Sequence, residues 1–118
     1  MIGRKSQLKK LDARLTRELV RRVVRAAAPQ KILLFGSRAR GDHRPDSDID
    51  LLVIKKSSLP RPQRAAPIYT ALAKLSLPVD MEVMVYTPAE AEEWSEVRQA
   101  FVTTALREGK VLYEKKSG

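Results

Sequence analysis

Two short strand-like runs, Lys31 to Phe35 and Ser47 to Ile54, stand eleven residues apart, and what lies at their facing ends most constrains the chain. The first run ends on Gly36-Ser37 and the second opens with Asp48-x-Asp50. Gly36 and Ser37 read as a turn, with Ser37 a good N-cap for a short helix ending near Gly41. Asp42 to Asp46 then reads as a loop. Side chains alternate along a strand, so Ile49, Leu51 and Val53 face one way and Asp48, Asp50, Leu52 and Ile54 the other. A turn that opens a helix presents backbone N–H groups to a phosphate. Two carboxylates on one face of the next strand suit divalent cations. The segment thus has the equipment to hold a triphosphate at one end and its metals at the other.

The remaining elements follow from periodicity. Leu8, Leu11, Leu15, Leu19, Val23 and Ala27 form one stripe of an amphipathic helix that Pro29 stops. Lys55 to Pro67 contains three prolines and begins as a loop. A helix from about Ala65 to Leu75 follows, with Ile68, Leu72 and Leu75 on its apolar side. Pro78 precedes a third strand, Val79 to Tyr86. Thr87-Pro88-Ala89-Glu90 is a helix start with an N-cap, a proline in the first turn and a capping-box Glu. Helical pattern continues through Trp94, Val97, Phe101 and Ala105, with a break near Ser95, and Gly109 ends it. Trp94 reads as core. Lys110 to Tyr113 is a last short strand. The expected fold class is α/β, a mixed sheet with helices packed on it.

Composition narrows the classes further. At 118 residues, 1–118 reads as a single domain. No apolar run approaches the length of a membrane span, and no signal-peptide core is present. The chain has no cysteine, which excludes disulfides and thiolate metal sites and fits a cytoplasmic protein. The formal net charge is +9, and residues 1–30 carry nine Lys/Arg against Asp12 and Glu18. The preferred reading of that stretch is the solvated face of a surface helix. Contact with nucleic acid or an acidic protein is the alternative. Aromatics are not interleaved with the basic residues, so no single-strand stacking platform is visible.

Several rival motifs fail on their own requirements. Asp46, Asp48 and Asp50 suggest a calcium loop, but counted from Asp46 the required Gly and Glu positions hold Leu51 and Ser57. Gly36 to Gly41 is the first half of a P-loop, but Asp42-His43 stand where Lys and Ser/Thr are needed. Asp48 and Asp50 lead into an apolar strand, where carboxylates need a compensating partner. That partner is either a cation or one of Arg38, Arg40 and Arg44. Asp80 and Glu82 share a face of the third strand. One of them completes a metal site if that strand lies beside the second; otherwise they are the solvent face of an amphipathic strand. His43, the sole histidine, reads as a surface loop residue.

These residues resemble a known family. Gly36-Ser37 with Asp48-x-Asp50 is similar to the core motif of the DNA polymerase β-like nucleotidyltransferase superfamily. The fuller string Phe35-Gly36-Ser37-Arg38-Ala39-Arg40-Gly41 with Pro45-Asp46-Ser47-Asp48-Ile49-Asp50-Leu51 resembles its minimal, stand-alone branch. Pro78-Val79-Asp80, Tyr86-Thr87-Pro88 and Glu108 to Tyr113 also fit that branch. The resemblance implies the polymerase β-like fold. It implies that Gly36 and Ser37 hold the β/γ-phosphates of an NTP, with Arg38 placed to help with phosphate charge. Asp48 and Asp50 become Mg²⁺ ligands, and Asp80 the third carboxylate, which helps activate the attacking hydroxyl. Glu82 on the same face is its competitor. Minimal members are commonly paired with a helical HEPN-type toxin, which the nucleotidyltransferase neutralises by transferring AMP from ATP to a tyrosine. The resemblance therefore implies an antitoxin role. Transfer to RNA or a small molecule, and a non-catalytic binding role, are the alternatives. RNA is possible as a partner but is not favoured.

Overall fold

A computed structural model describes residues 7–94 and 107–116. The element order is α1 (Ala13–Ala27), β1 (Lys31–Phe35), α2 (Ser37–Arg40), β2 (Ile49–Ile54), α3 (Arg61–Arg64), α4 (Ala66–Ala73), β3 (Met81–Tyr86), α5 (Pro88–Trp94) and β4 (Lys110–Glu114). The four strands form one sheet in the order β3-β2-β1-β4. β1 pairs antiparallel with β2 and with β4, whereas β2 and β3 run parallel. A parallel neighbour needs a crossover connection. The segment carrying α3 and α4 supplies it, and the sheet is mixed as expected.

Strand β2 is the spine of the sheet. Its residues are buried at every position except Asp50, which is half-buried. Ile49, Leu51 and Val53 meet Leu19 and Val23 of α1 and Ile68 and Leu72 of α4 in the main core. Leu52 and Ile54 join Leu33 and Tyr86 in a second cluster on the other face, with Phe35, Met84 and Ala91 against it. The predicted alternation along β2 therefore holds. On the outer edge of β3, the Val83 N–H donates to the Tyr69 hydroxyl at 2.7 Å. That contact occupies a group which an exposed edge would otherwise offer to another chain.

Several boundaries differ from the sequence reading. Helix α1 starts at Ala13 because the Asp12 carboxylate accepts the Leu15 N–H at 2.9 Å and Asp12 itself is extended. Leu8 and Leu11 precede the helix but still pack against the core. The helix ends in a left-handed Ala28 whose N–H donates to Val24, just before Pro29. Pro60 and Pro62 open the one-turn helix α3 rather than a plain loop, since proline suits a first turn. β2 begins at Ile49, because Ser47 is held in a turn by the bonds it exchanges with Arg44. β3 begins at Met81, although the Asp80 carbonyl already accepts the Ile49 N–H at 2.9 Å. The last strand runs one residue further than expected, to Glu114, which faces Lys31 at 3.7 Å. The predicted helical stretch through Val97, Phe101 and Ala105, the break near Ser95 and the Trp94 side chain lie outside the described residues. None of the described helices is long and apolar enough to cross a membrane.

The capping box at Thr87 forms as read. The Thr87 N–H donates to Glu90 at 2.9 Å and the Glu90 N–H donates to the Thr87 hydroxyl at 3.1 Å. Glu90 also receives a forked ion pair from Arg64, at 2.7 and 3.1 Å, and Arg64 further bonds the carbonyls of Leu59 and Val85. These bonds hold the Glu90 carboxyl down at about 2, the Arg64 hydrogen bond being the largest cause. Arg61 lies 4.4 Å over the Tyr86 ring in the same cluster. This lock pins the crossover to the end of β3 away from Asp80.

Candidate active site

The linker between β1 and β2 turns on Gly36. Its φ of 75° is a conformation that side chains disfavour, which is one reason for glycine there. The second reason is space. A Cβ built on Gly36 would stand 2.6 Å from Oδ2 of Asp50. The antiparallel register explains the approach, because Asp50 lies opposite Phe35, the residue before the turn. Gly36 takes the N-cap position of α2, so Ser37 is the first helical residue and not the cap, contrary to the sequence reading. The Gly36 carbonyl accepts from both Ala39 and Arg40, and Gly41, at φ 87°, closes the helix by donating to the Ser37 carbonyl.

The carboxylates gather at the start of β2 and β3. Asp50 is the register partner of Glu82 across the parallel pair. The same register, continued one residue outward, sets Asp48 beside Asp80. Burial pushes the Asp50 carboxyl above its usual range, and the charges of Glu82 and Asp48 add to the effect. Asp48, Asp80 and Glu82 are exposed. Asp48, just before β2, Asp50 within it and both candidates for the third carboxylate thus share one strand end and one face. Among the described residues, no group of three or more such side chains closes into a metal-holding cluster.

The donor set nevertheless fits a hard divalent cation. Mg²⁺ takes oxygen ligands and is usually bound by one or two carboxylates together with substrate phosphates. Asp50 is half-buried among like charges, and a cation at that point supplies the missing counter-charge. The arginines weighed as alternative partners do not supply it. Arg40 pairs with Asp42 at 3.2 Å, and none of Arg38, Arg40 and Arg44 forms an ion pair with Asp48 or Asp50 among the described residues.

The Arg38 side chain turns toward the loop before β2. It is buried, 7% exposed, the one charged residue so buried among the described residues. Its Nε and Nη2 donate to the Ser47 carbonyl at 3.1 and 3.0 Å, and Nη2 also donates to the Leu8 carbonyl at 2.8 Å. Burial lowers its pKa, and the charge of Asp48 partly restores it. The guanidinium therefore clasps the loop that delivers Asp48 to the strand end. The signal in the sequence was an arginine one residue after the Gly-Ser turn, and its distance from the returning loop was not visible. His43 also ties this region together: its Nε2 lies 2.8 Å from the Lys9 carbonyl, so the ring is a half-buried brace rather than a free surface group.

A family model described as Polymerase beta, Nucleotidyltransferase matches residues 17–118. A Methanocaldococcus jannaschii protein named as a candidate protein adenylyltransferase is 31% identical over 84 residues, 71% of this chain and 78% of that protein. A solved structure of a candidate nucleotidyltransferase from Sulfolobus solfataricus is similar with a TM-score of 0.60 at 21% identity, covering 100% of this chain and 96% of the other. A toxin–antitoxin structure with AMP-PNP is similar with a TM-score of 0.55 at 21% identity, covering 86% of this chain and 74% of that one. The family model spans more than half of the chain, and the chain belongs to the polymerase beta nucleotidyltransferase family.

Proposed function

We propose that the chain transfers AMP from ATP to a hydroxyl group of a partner protein, with Mg²⁺ held by Asp48, Asp50 and Asp80. The partner in this reading is a helical HEPN-type toxin, and the chain is its antitoxin. The observation that carries the reading is the contact of Gly36 with Asp50. The turn that receives phosphate and the carboxylate that receives a cation lie against each other, with no room for a Cβ between them. Support for the acceptor comes from the relatives. The M. jannaschii protein is named as a candidate protein adenylyltransferase, and the fold neighbour with AMP-PNP is a toxin–antitoxin.

In this reading the Gly36-Ser37 turn binds the β- and γ-phosphates. Asp80 receives the proton of the attacking hydroxyl, and its place beside Asp48 supports that role. The hydroxyl oxygen bonds to the α-phosphorus. The bond from that phosphorus to the oxygen leading to the β-phosphate breaks, and pyrophosphate leaves. Bound Mg²⁺ supplies charge stabilisation for the entering and leaving oxygens of such an in-line displacement. Arg38 acts indirectly, by holding the loop before Asp48.

The test is label transfer from α-labelled ATP, with the chain co-expressed with its partner. Label on the partner with wild type, and none with Asp48→Asn, is the expected result. Label recovered on RNA moves the acceptor. No label on any fraction replaces this reading with a binding-only antitoxin.

A further inference from the structure

Helix α1 carries basic residues that the proposed chemistry does not use. Arg14, Arg17, Arg21 and Arg25 recur at steps of three and four, which places them on one face of the helix, and all are exposed. From Arg14 to Arg25 the row is about 16 Å long at 1.5 Å per residue. The acids of this segment are already committed. Glu18 pairs with Arg21 and Arg22, and Asp12 caps the helix. Arg14, Arg17 and Arg25 form no ion pair or side-chain hydrogen bond with any described residue. A cavity of about 530 Å³ prolongs the row toward β4, with Lys10 and Arg17 on one side and Lys110 on the other. A second cavity, of about 490 Å³, runs beside Arg14, Arg17 and Arg21 and touches Leu112 of β4.

We infer that this face of α1 binds the sugar–phosphate backbone of a double-stranded nucleic acid. A row of arginines along one helix is the electrostatic footprint of such a partner. Its length equals the axial rise of roughly five base pairs of a duplex at about 3.4 Å each. Guanidinium forks suit phosphate oxygens in pairs. No Phe, Tyr or Trp lines either cavity, and the His43 ring in the first is tied to the Lys9 carbonyl, so the face offers no free platform for stacking unpaired bases. Phosphate contacts without base contacts give binding that is independent of sequence. The inference does not depend on which hydroxyl accepts the nucleotide.

The experiment is fluorescence anisotropy with 20-base-pair RNA and DNA duplexes over a series of salt concentrations. Wild type is compared with R14Q/R17Q/R25Q and with K55Q/K56Q/K74Q, which removes the same charge elsewhere; circular dichroism melts check the fold of each. The expected result is at least tenfold weaker binding by the arginine variant, with a salt slope shallower by about 3. The lysine variant should stay near wild type. The tighter duplex identifies the natural source of the backbone. Equal weakening by both variants, or no salt-dependent binding by wild type, overturns the inference. Poly-glutamate binding as tightly as either duplex reassigns the face to an acidic protein.

Discussion

Gly36 and Asp50 occupy each other's space: the position of a Cβ on Gly36 lies 2.6 Å from Oδ2 of Asp50. The Gly36→Ala substitution adds a strained positive φ to that overlap. The two effects together should cost about 1–3 kcal/mol of stability. Relief by rotation of the Asp50 carboxylate should remove nucleotidyl transfer even in the folded fraction. A thermal melt and a label-transfer assay on the same preparation check both parts. Full activity in a destabilised variant would separate the turn from the chemistry.

The carboxylates differ in what their loss should do. Asp48→Asn and Asp80→Asn are expected to abolish transfer while leaving the melting temperature within a few degrees, because both side chains are exposed. Asp80→Asn should still bind ATP through the turn. Glu82→Gln should be mild. Transfer that survives in Asp80→Asn and disappears in Glu82→Gln would give the third carboxylate role to Glu82, the register partner of Asp50.

Ser37 is the first residue of α2 and not its cap, which sharpens its test. Removing a capping hydroxyl typically costs about 1 kcal/mol. Ser37→Ala should cost less than that in a denaturant titration and should weaken ATP binding measured by calorimetry. A large stability loss with unchanged affinity would return Ser37 to a structural role.

Glu90 makes stability depend on pH. Its carboxyl is held at about 2 in the folded protein against an ordinary value of 4.5. The depressed value means the contribution is complete above pH 4.5 and is lost as pH falls from there toward 2. Because the pair is partly open to solvent, the contribution is on the order of 1–2 kcal/mol. Urea melts at pH 7 and pH 3 should therefore differ more for wild type than for Glu90→Gln. Equal pH sensitivity in both would show that other carboxylates set the acid limb.

Much of this molecule was legible in its residues because local signals agreed with the final packing. β1 runs from Lys31 to Phe35 as the apolar run predicted, and the alternation along β2 sorts its side chains between two clusters. The capping box at Thr87 and Glu90 was readable because it lies within four consecutive residues. What could not be read depended on distant partners. Leu8 and Leu11 kept the helical period, but Asp12 caps the helix after them, and the segment before it is tied to the loop through Leu8 to Pro45 and Lys9 to His43. Arg38 stands beside the phosphate turn in sequence, yet its guanidinium reaches carbonyls nine and thirty residues away. The Arg64–Glu90 lock joins residues 26 apart, a distance at which neither propensity nor periodicity carries information.

The burial of β2 on both faces and both edges has a consequence for the durability of the site. Amides of a central strand exchange with solvent only when the whole domain opens, whereas edge segments exchange through local fraying. Leu51, Leu52 and Val53 should therefore belong to the slowest-exchanging set, and residues of β4, half-exposed at the sheet edge, to a faster one. Asp50 is rooted in that slow unit, one peptide bond from Leu51. Asp50 is thus carried by the part of the molecule that melts last, and warming should fray the β4 edge before it displaces this carboxylate.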